Sequence, residues 1–175
     1  MSDKVKQFKW LIVLSLFLLA IPLYFTYNHF QQSSALKEAF EKNERIEVLH
    51  RLTSSEKYAS DIRKAGYTIP SDGAIRLDGG IDSIEIKGDI DLKISNPGRN
   101  EVTVLFETTV KEEKIDVHYI LDNQLTIKRS YYSDISNQKI NEGVTIPQAE
   151  EERILNIVQK EIDAFMENMY QTLYG

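Results

Sequence analysis

Eighteen consecutive residues, Trp10 to Tyr27, carry no charged side chain, and Lys4, Lys6 and Lys9 stand just before them. A helix needs about 17–25 apolar residues to cross the hydrocarbon layer, so this run predicts a single span. Positive flanks stay inside, which places residues 1–9 in the cytoplasm as a basic tail. Residues 28–175 are then delivered outside as one extracytoplasmic domain. The expected location is the cell (inner) membrane.

A cleaved signal peptide has an apolar core of about 7–15 residues and a small-residue exit. Here the exit is bulky: Leu23, Tyr24, Phe25, Tyr27, His29 and Phe30. The nearest small residues, Ser33-Ser34-Ala35, lie well beyond the core. The run therefore reads as an uncleaved signal anchor rather than a cleaved peptide or a buried core helix. Trp10 falls at its inner edge, and Tyr24 and Tyr27 near its outer edge, where amphipathic rings favour the headgroup zones. Pro22 is tolerated in such helices.

Charge is segregated along the chain. Beyond the tail remain 18 of the 21 basic and 26 of the 27 acidic residues, a net of −8. An acidic outer domain argues against nucleic acid and against adhesion to anionic lipid, since both need clustered lysine and arginine. The chain has no cysteine. Disulfides, thiol chemistry, cysteine-ligated zinc and lipoprotein attachment are excluded with it. The outer domain, of a size common for one core, must rely on hydrophobic burial.

Its first part reads as helical. Leu36, Ala39, Phe40, Ile46, Leu49 and Leu52 recur at spacings of three and four with one gap, predicting a helix from Ser34 to Arg51. Thr53-Ser54-Ser55-Glu56 has the capping-box pattern and should start a second helix, with Tyr58, Ala59, Ile62 and Ala65 on one face. Gly66 supplies a left-handed residue to end it.

From Tyr67 the period becomes two. Pro70, Gly73, Asp78, Gly79 and Gly80 punctuate a turn region, and Ala74 to Leu77 reads as a short strand. Ile84, Ile86, Ile90, Leu92 and Ile94 alternate with charged residues in one phase, predicting one long strand bent at Gly88. Ser95 to Asn100 is a turn. Val102, Val104, Phe106 and Thr108 form the next strand, and Lys111-Glu112-Glu113 turns it. Ile115, Val117, Tyr119 and Leu121 follow, then a hairpin at Asp122-Asn123. Leu125 and Ile127 complete the sheet, with Tyr131 as a further candidate. Connections this short make the strands antiparallel, and a sheet with one apolar face needs helices on that face.

After a polar stretch from Ser130 to Gly143, Pro147 and Glu150 to Glu152 suit the first turn of a last helix. Its stripe is Ile154, Val158, Ile162, Phe165, Met169 and Leu173, flanked by Leu155, Met166 and Tyr170. Packing on the chain's own sheet is the expected use of that face, with a partner groove or coiled coil as the alternative. Glu161, Asp163 and Glu167 argue against a membrane contact. The expected fold class is α+β: a transmembrane helix, an antiparallel meander covered by helices, and a long amphipathic C-terminal helix.

No catalytic, cofactor or metal site stands out. His29, His50 and His118 lie at no ligand spacing, and no H-E-x-x-H pattern occurs. No serine stands in a G-x-S-x-G context, and Ser55-Glu56-Lys57 reads as a helix start. Gly79 and Gly80 begin no phosphate loop. Asp78, Asp82, Asp89 and Asp91 do not follow the twelve-residue calcium loop. No pair of carboxylates is singled out for glycosidic cleavage. The expectation is a non-enzymatic protein without cofactor.

The juxtamembrane stretch Ser34-Ala35-Leu36-Lys37-Glu38-Ala39-Phe40 with Asn43 to Leu49, and the sheet from Gly88 through Asn96-Pro97-Gly98-Arg99 to Ile127, resemble the cytochrome-oxidase complex assembly protein 1 family. The resemblance covers about residues 28–130. It departs at His50 to Thr53, where the family has a glycine-proline turn, and the C-terminal helix is extra. It implies a non-catalytic, membrane-anchored factor attending a larger membrane complex. The acidic alternation from Ile81 to Lys87 is also similar to the head of bacterial envelope adhesins, whose repeated strands are longer than this chain allows. The expected partners are the bilayer, through residues 10–27, and a membrane protein. The alternative is an envelope sensor or small-ligand module with a pocket between sheet and helix.

Overall fold

The structure, a computed structural model, describes residues 18, 20–24, 26, 31, 33–70, 79–95, 98, 100–110, 113–134, 139–140 and 146–175. The chain divides into a leading unit that ends at Glu38 and a compact unit from Ala39 to Gly175. Most of the predicted span lies outside the described residues. Those described within it, residues 18, 20–24 and 26, are helical. Leu18, Ile21, Leu23 and Tyr24 are exposed on them, at 51–67 %. Among the described residues no helix is long and apolar enough to cross a membrane.

The compact unit is α+β. Helix α1 is Arg45–Thr53 and α2 is Ala59–Lys64, with a 3-10 turn, Glu56–Tyr58, between them. Strands β1 (Ser83–Ile86), β2 (Leu92–Ser95), β3 (Val102–Val110), β4 (Glu113–Leu121) and β5 (Ile127–Asp134) follow, then the two-residue β6 (Lys139–Ile140) and helix α3 (Gln148–Tyr174). The strands lie side by side in chain order, every pair antiparallel. This is the arrangement that short connections enforce.

Register sets which residues share a face. Ile84, Ile94, Val104 and Tyr119 stand opposite one another across four strands, and all are buried. Phe106 and Val117 continue the same face, and Phe106 meets Tyr119 edge-on at 5.3 Å. Helices cover this face. Ile46, Leu49 and Leu52 of α1, Ile62 of α2 and the stripe Ile154, Val158, Ile162, Phe165 and Met169 of α3 are all fully buried. Phe165 meets Tyr67 edge-on at 4.7 Å, and Tyr170 meets Phe40 at 5.7 Å. Arg45 grips Asp163 through two bonds, 2.6 and 3.2 Å, tying α1 to α3. That bond holds the guanidinium above its ordinary pKa. Pro147 sits at the N-cap of α3, with Glu150 and Glu151 in its positive first turn.

The structure corrects five readings of the sequence. The helix predicted from Ser34 to Arg51 is broken. Residues 33–41 are helical, and Asn43 at φ 55° then ends them. The Glu44 amide donates to Ala39 and the Asn43 amide to Phe40, the paired bonds that close a helix around a left-handed residue. Second, Thr53 is not a cap. It is the last residue of α1, and its hydroxyl donates back to Leu49 at 2.8 Å. Ser55 caps instead, accepting from Lys57, while the Glu56 amide goes to Gly79. Gly66 at φ 95° closes α2 as read.

Third, the long strand bent at Gly88 is a hairpin: Ile86 pairs with Leu92, and residues 87–91 turn between them. Antiparallel partners in this register have numbers of equal parity, so the alternation keeps its phase through the turn and imitates a single strand. Fourth, Glu113 belongs to β4 and pairs with Val110. Leu125 is not in a strand. It is buried at φ 56° inside the turn, where the Asp122 carboxylate accepts from the Gln124 and Thr126 amides and the Thr126 hydroxyl. Those bonds, led by Thr126, hold the Asp122 carboxyl below its usual range. Fifth, the polar residues Ser130 to Asp134 are strand, because β4 supplies a partner for each of them. The strand predicted at Ala74 to Leu77 and the turn residues Lys111-Glu112 lie outside the described residues.

Candidate functional site

The β1–β2 turn is drawn toward α3 rather than along the sheet. The Asp89 amide donates to the Glu161 carboxylate at 3.2 Å, and Lys160 pairs with Asp89 at 3.0 Å. Gly88 lies close under the Glu161 carboxylate, so a Cβ there would oblige that side chain to move. Lys87 and Asp91 brace the turn across its ends at 2.7 Å. Both lysine ammonium groups are held above their ordinary pKa, first by the hydrogen bond to their aspartate.

Between this turn and β3 opens a cleft of about 970 Å³. Its walls are the turn, the far halves of β3 and β4, and Arg153 and Ile157 of α3. On the solvent face Glu107 of β3 stands directly opposite Asp116 of β4, with His118 two residues on. Like charges so placed repel. No basic side chain among the described residues pairs with either carboxylate, whereas Asp89, Asp91 and Glu150 all have one. The cleft is thus charged, open and shallowly walled. It suits a polar, extended ligand better than an enclosed apolar one.

The sequence candidates scatter. His50 lies in the last turn of α1 and His118 on the outer face of β4, opposite Leu105 and Tyr131. His29 and Asp78 lie outside the described residues. Ser55 is engaged as a cap, and the Gly79 carbonyl accepts from Glu56. Asp82 stays apart, while Asp89 and Asp91 are bound to lysines. Among the described residues no group of three histidine, aspartate or glutamate side chains is placed to hold a metal. The Glu107/Asp116 pair went unread in the sequence, since facing residues emerge only from register. Gly88-Asp89 as a turn dipeptide was the available signal.

One buried polar chain lies under the sheet. Tyr132 donates to Glu151 of α3 at 2.9 Å. The fully buried Tyr119 hydroxyl sits next to Tyr132, yet nothing among the described residues meets it at hydrogen-bonding geometry. Burial, then the nearby Tyr132 and Glu151, pushes its ionisation far above the ordinary range. An unfolded tyrosine loses its proton near pH 10. The unfolded chain then binds fewer protons than the folded one, so stability is full below about pH 10 and falls above it. Tyr119→Phe is expected to raise stability by up to about 1 kcal/mol at neutral pH, by removing an unsatisfied buried group. It is also expected to flatten the alkaline fall in melting temperature. A large neutral-pH loss would show that the hydroxyl is bonded after all.

Compared with protein-family models, curated proteins and solved structures, the chain matches none.

Proposed function

We propose that the chain is a single-pass membrane protein whose extracytoplasmic α+β domain binds a protein partner without catalysis, as an accessory or assembly factor of a membrane complex. The observation that carries this is the uncharged run from Trp10 to Tyr27 behind three lysines, whose described residues are helical with large apolar side chains exposed. Exposed leucine and isoleucine side chains on a helix suit lipid better than water. An anchor holds the domain at the membrane surface and raises its effective concentration near membrane partners. A small-ligand sensor is less well supported, because the cleft is charged and open.

The first test is an alkaline carbonate wash of membranes containing the full chain. Retention in the pellet is the expected result, and release into the supernatant would sink the anchor. The second is capture of the tagged chain in mild detergent, where a stoichiometric membrane protein should accompany it. A lone protein would return weight to ligand sensing.

A further inference from the structure

We infer that the open edge of β3 at residues 107–110 is the docking surface, and that its occupant is an extended segment of the partner protein carrying lysine or arginine. This rests on the partner-binding reading above. The pairing of β2 with β3 runs from Ser95↔Thr103 to Lys93↔Leu105. The register therefore sets Leu92, the first residue of β2, beside Phe106, while β3 continues to Val110. Residues 107–110 pair with β4 on one side. On the other side no backbone group among the described residues meets them.

Such an edge is a template for another strand. The other two edges are treated differently. Thr68 exchanges both backbone bonds with Glu85 and closes the outer side of β1. At the far side of the sheet β6 pairs with Ser133 and Asp134 of β5, and Lys128 and Arg129 farther along β5 pair with Glu101. Beside Glu107 and Thr108 there is instead an open volume, next to the turn whose Asp89 is bonded to Glu161 and Lys160 of α3. A strand entering there would lie in line with β2 and extend the sheet by main-chain bonds.

Charge sets the chemistry of that strand. Its outward side chains would pass Glu107 and Asp116, two facing carboxylates with no basic partner. A cationic side chain relieves their repulsion, and an anionic one adds to it. Main-chain pairing gives the affinity, and the alternate outward positions give the preference.

The test uses the full-length protein in detergent micelles and a terminally blocked heptapeptide of alternating lysine and valine. Controls are its glutamate–valine counterpart and two forms of the basic peptide N-methylated at every second amide, in the two phases. The expected result is saturable slowing of amide exchange within residues 107–110, binding lost in one N-methyl phase and kept in the other, and no binding of the acidic peptide. Glu107→Lys, an exposed position, is expected to weaken the basic peptide about five-fold without unfolding the chain. Absence of saturable protection, protection along β5 instead, tolerance of both N-methyl phases, or equal binding of the acidic peptide would overturn the inference. None of these results depends on retention in the carbonate wash or on capture of a partner, so each reading fails on its own measurement.

Discussion

A chain ended after Ile146 is expected to lose cooperative thermal unfolding. That cut removes α3, whose Ile154, Val158, Ile162, Phe165, Met166 and Met169 are all buried. Burying one such side chain is worth about 1.5–3 kcal/mol, so six contribute roughly 10 kcal/mol or more. A domain of this size holds only about 5–15 kcal/mol in all. The cut also leaves the inner faces of β1 to β4 with only α1 and α2 as cover. The measurement is circular dichroism against temperature on the truncated and full chains. A melting curve that survives the cut would turn α3 into an element that serves a partner.

The second large effect is expected at one position. Phe165→Ala should destabilise by about 3–5 kcal/mol, through lost transfer energy and the cavity left behind. Phe165 is fully buried, and its ring is wedged edge-on against Tyr67, so neighbours have little freedom to collapse into the gap. For a unit of this length that corresponds to a melting temperature lower by roughly 10–15 °C. Arg45→Ala is the useful comparison. It removes a well-formed but partly exposed pair with Asp163, 25 % and 49 % accessible, and is expected to cost only about 1 kcal/mol. Equal effects from the two substitutions would mean that α3 is held by its ion pair and not by its apolar stripe.

Periodicity carried most of this fold. The stripe of α3 and the alternations of β2, β3 and β4 each read out a buried face, because burial on one side is what creates the period. Failures came where two structures share one pattern. A hairpin whose partners have equal parity and a single strand look alike, so Ile84 to Ile94 concealed the turn at residues 87–91. A helix broken by asparagine looks like a helix with one missed contact, and the gap from Phe40 to Ile46 was its only trace. Ser130 to Asp134 read as polar loop because a strand's membership is set by its neighbour, not by its own composition. The cleft was hidden for a related reason. It is made by two residues of β3 and β4 that meet only once register is known, and by a turn that α3 pulls aside.

Strand order has a consequence for how the molecule is made. Every ladder joins neighbours in the chain, so each hairpin can close as it emerges. The largest part of the cover, α3, comes last: Arg45 waits for Asp163, 118 residues later. At roughly 5–20 residues per second, the sheet therefore stands finished but only partly covered for a few seconds while the final helix is still being synthesised. Sticky intermediates of this protein belong to that interval, and a holding chaperone would find its binding surface on the inner face of the meander.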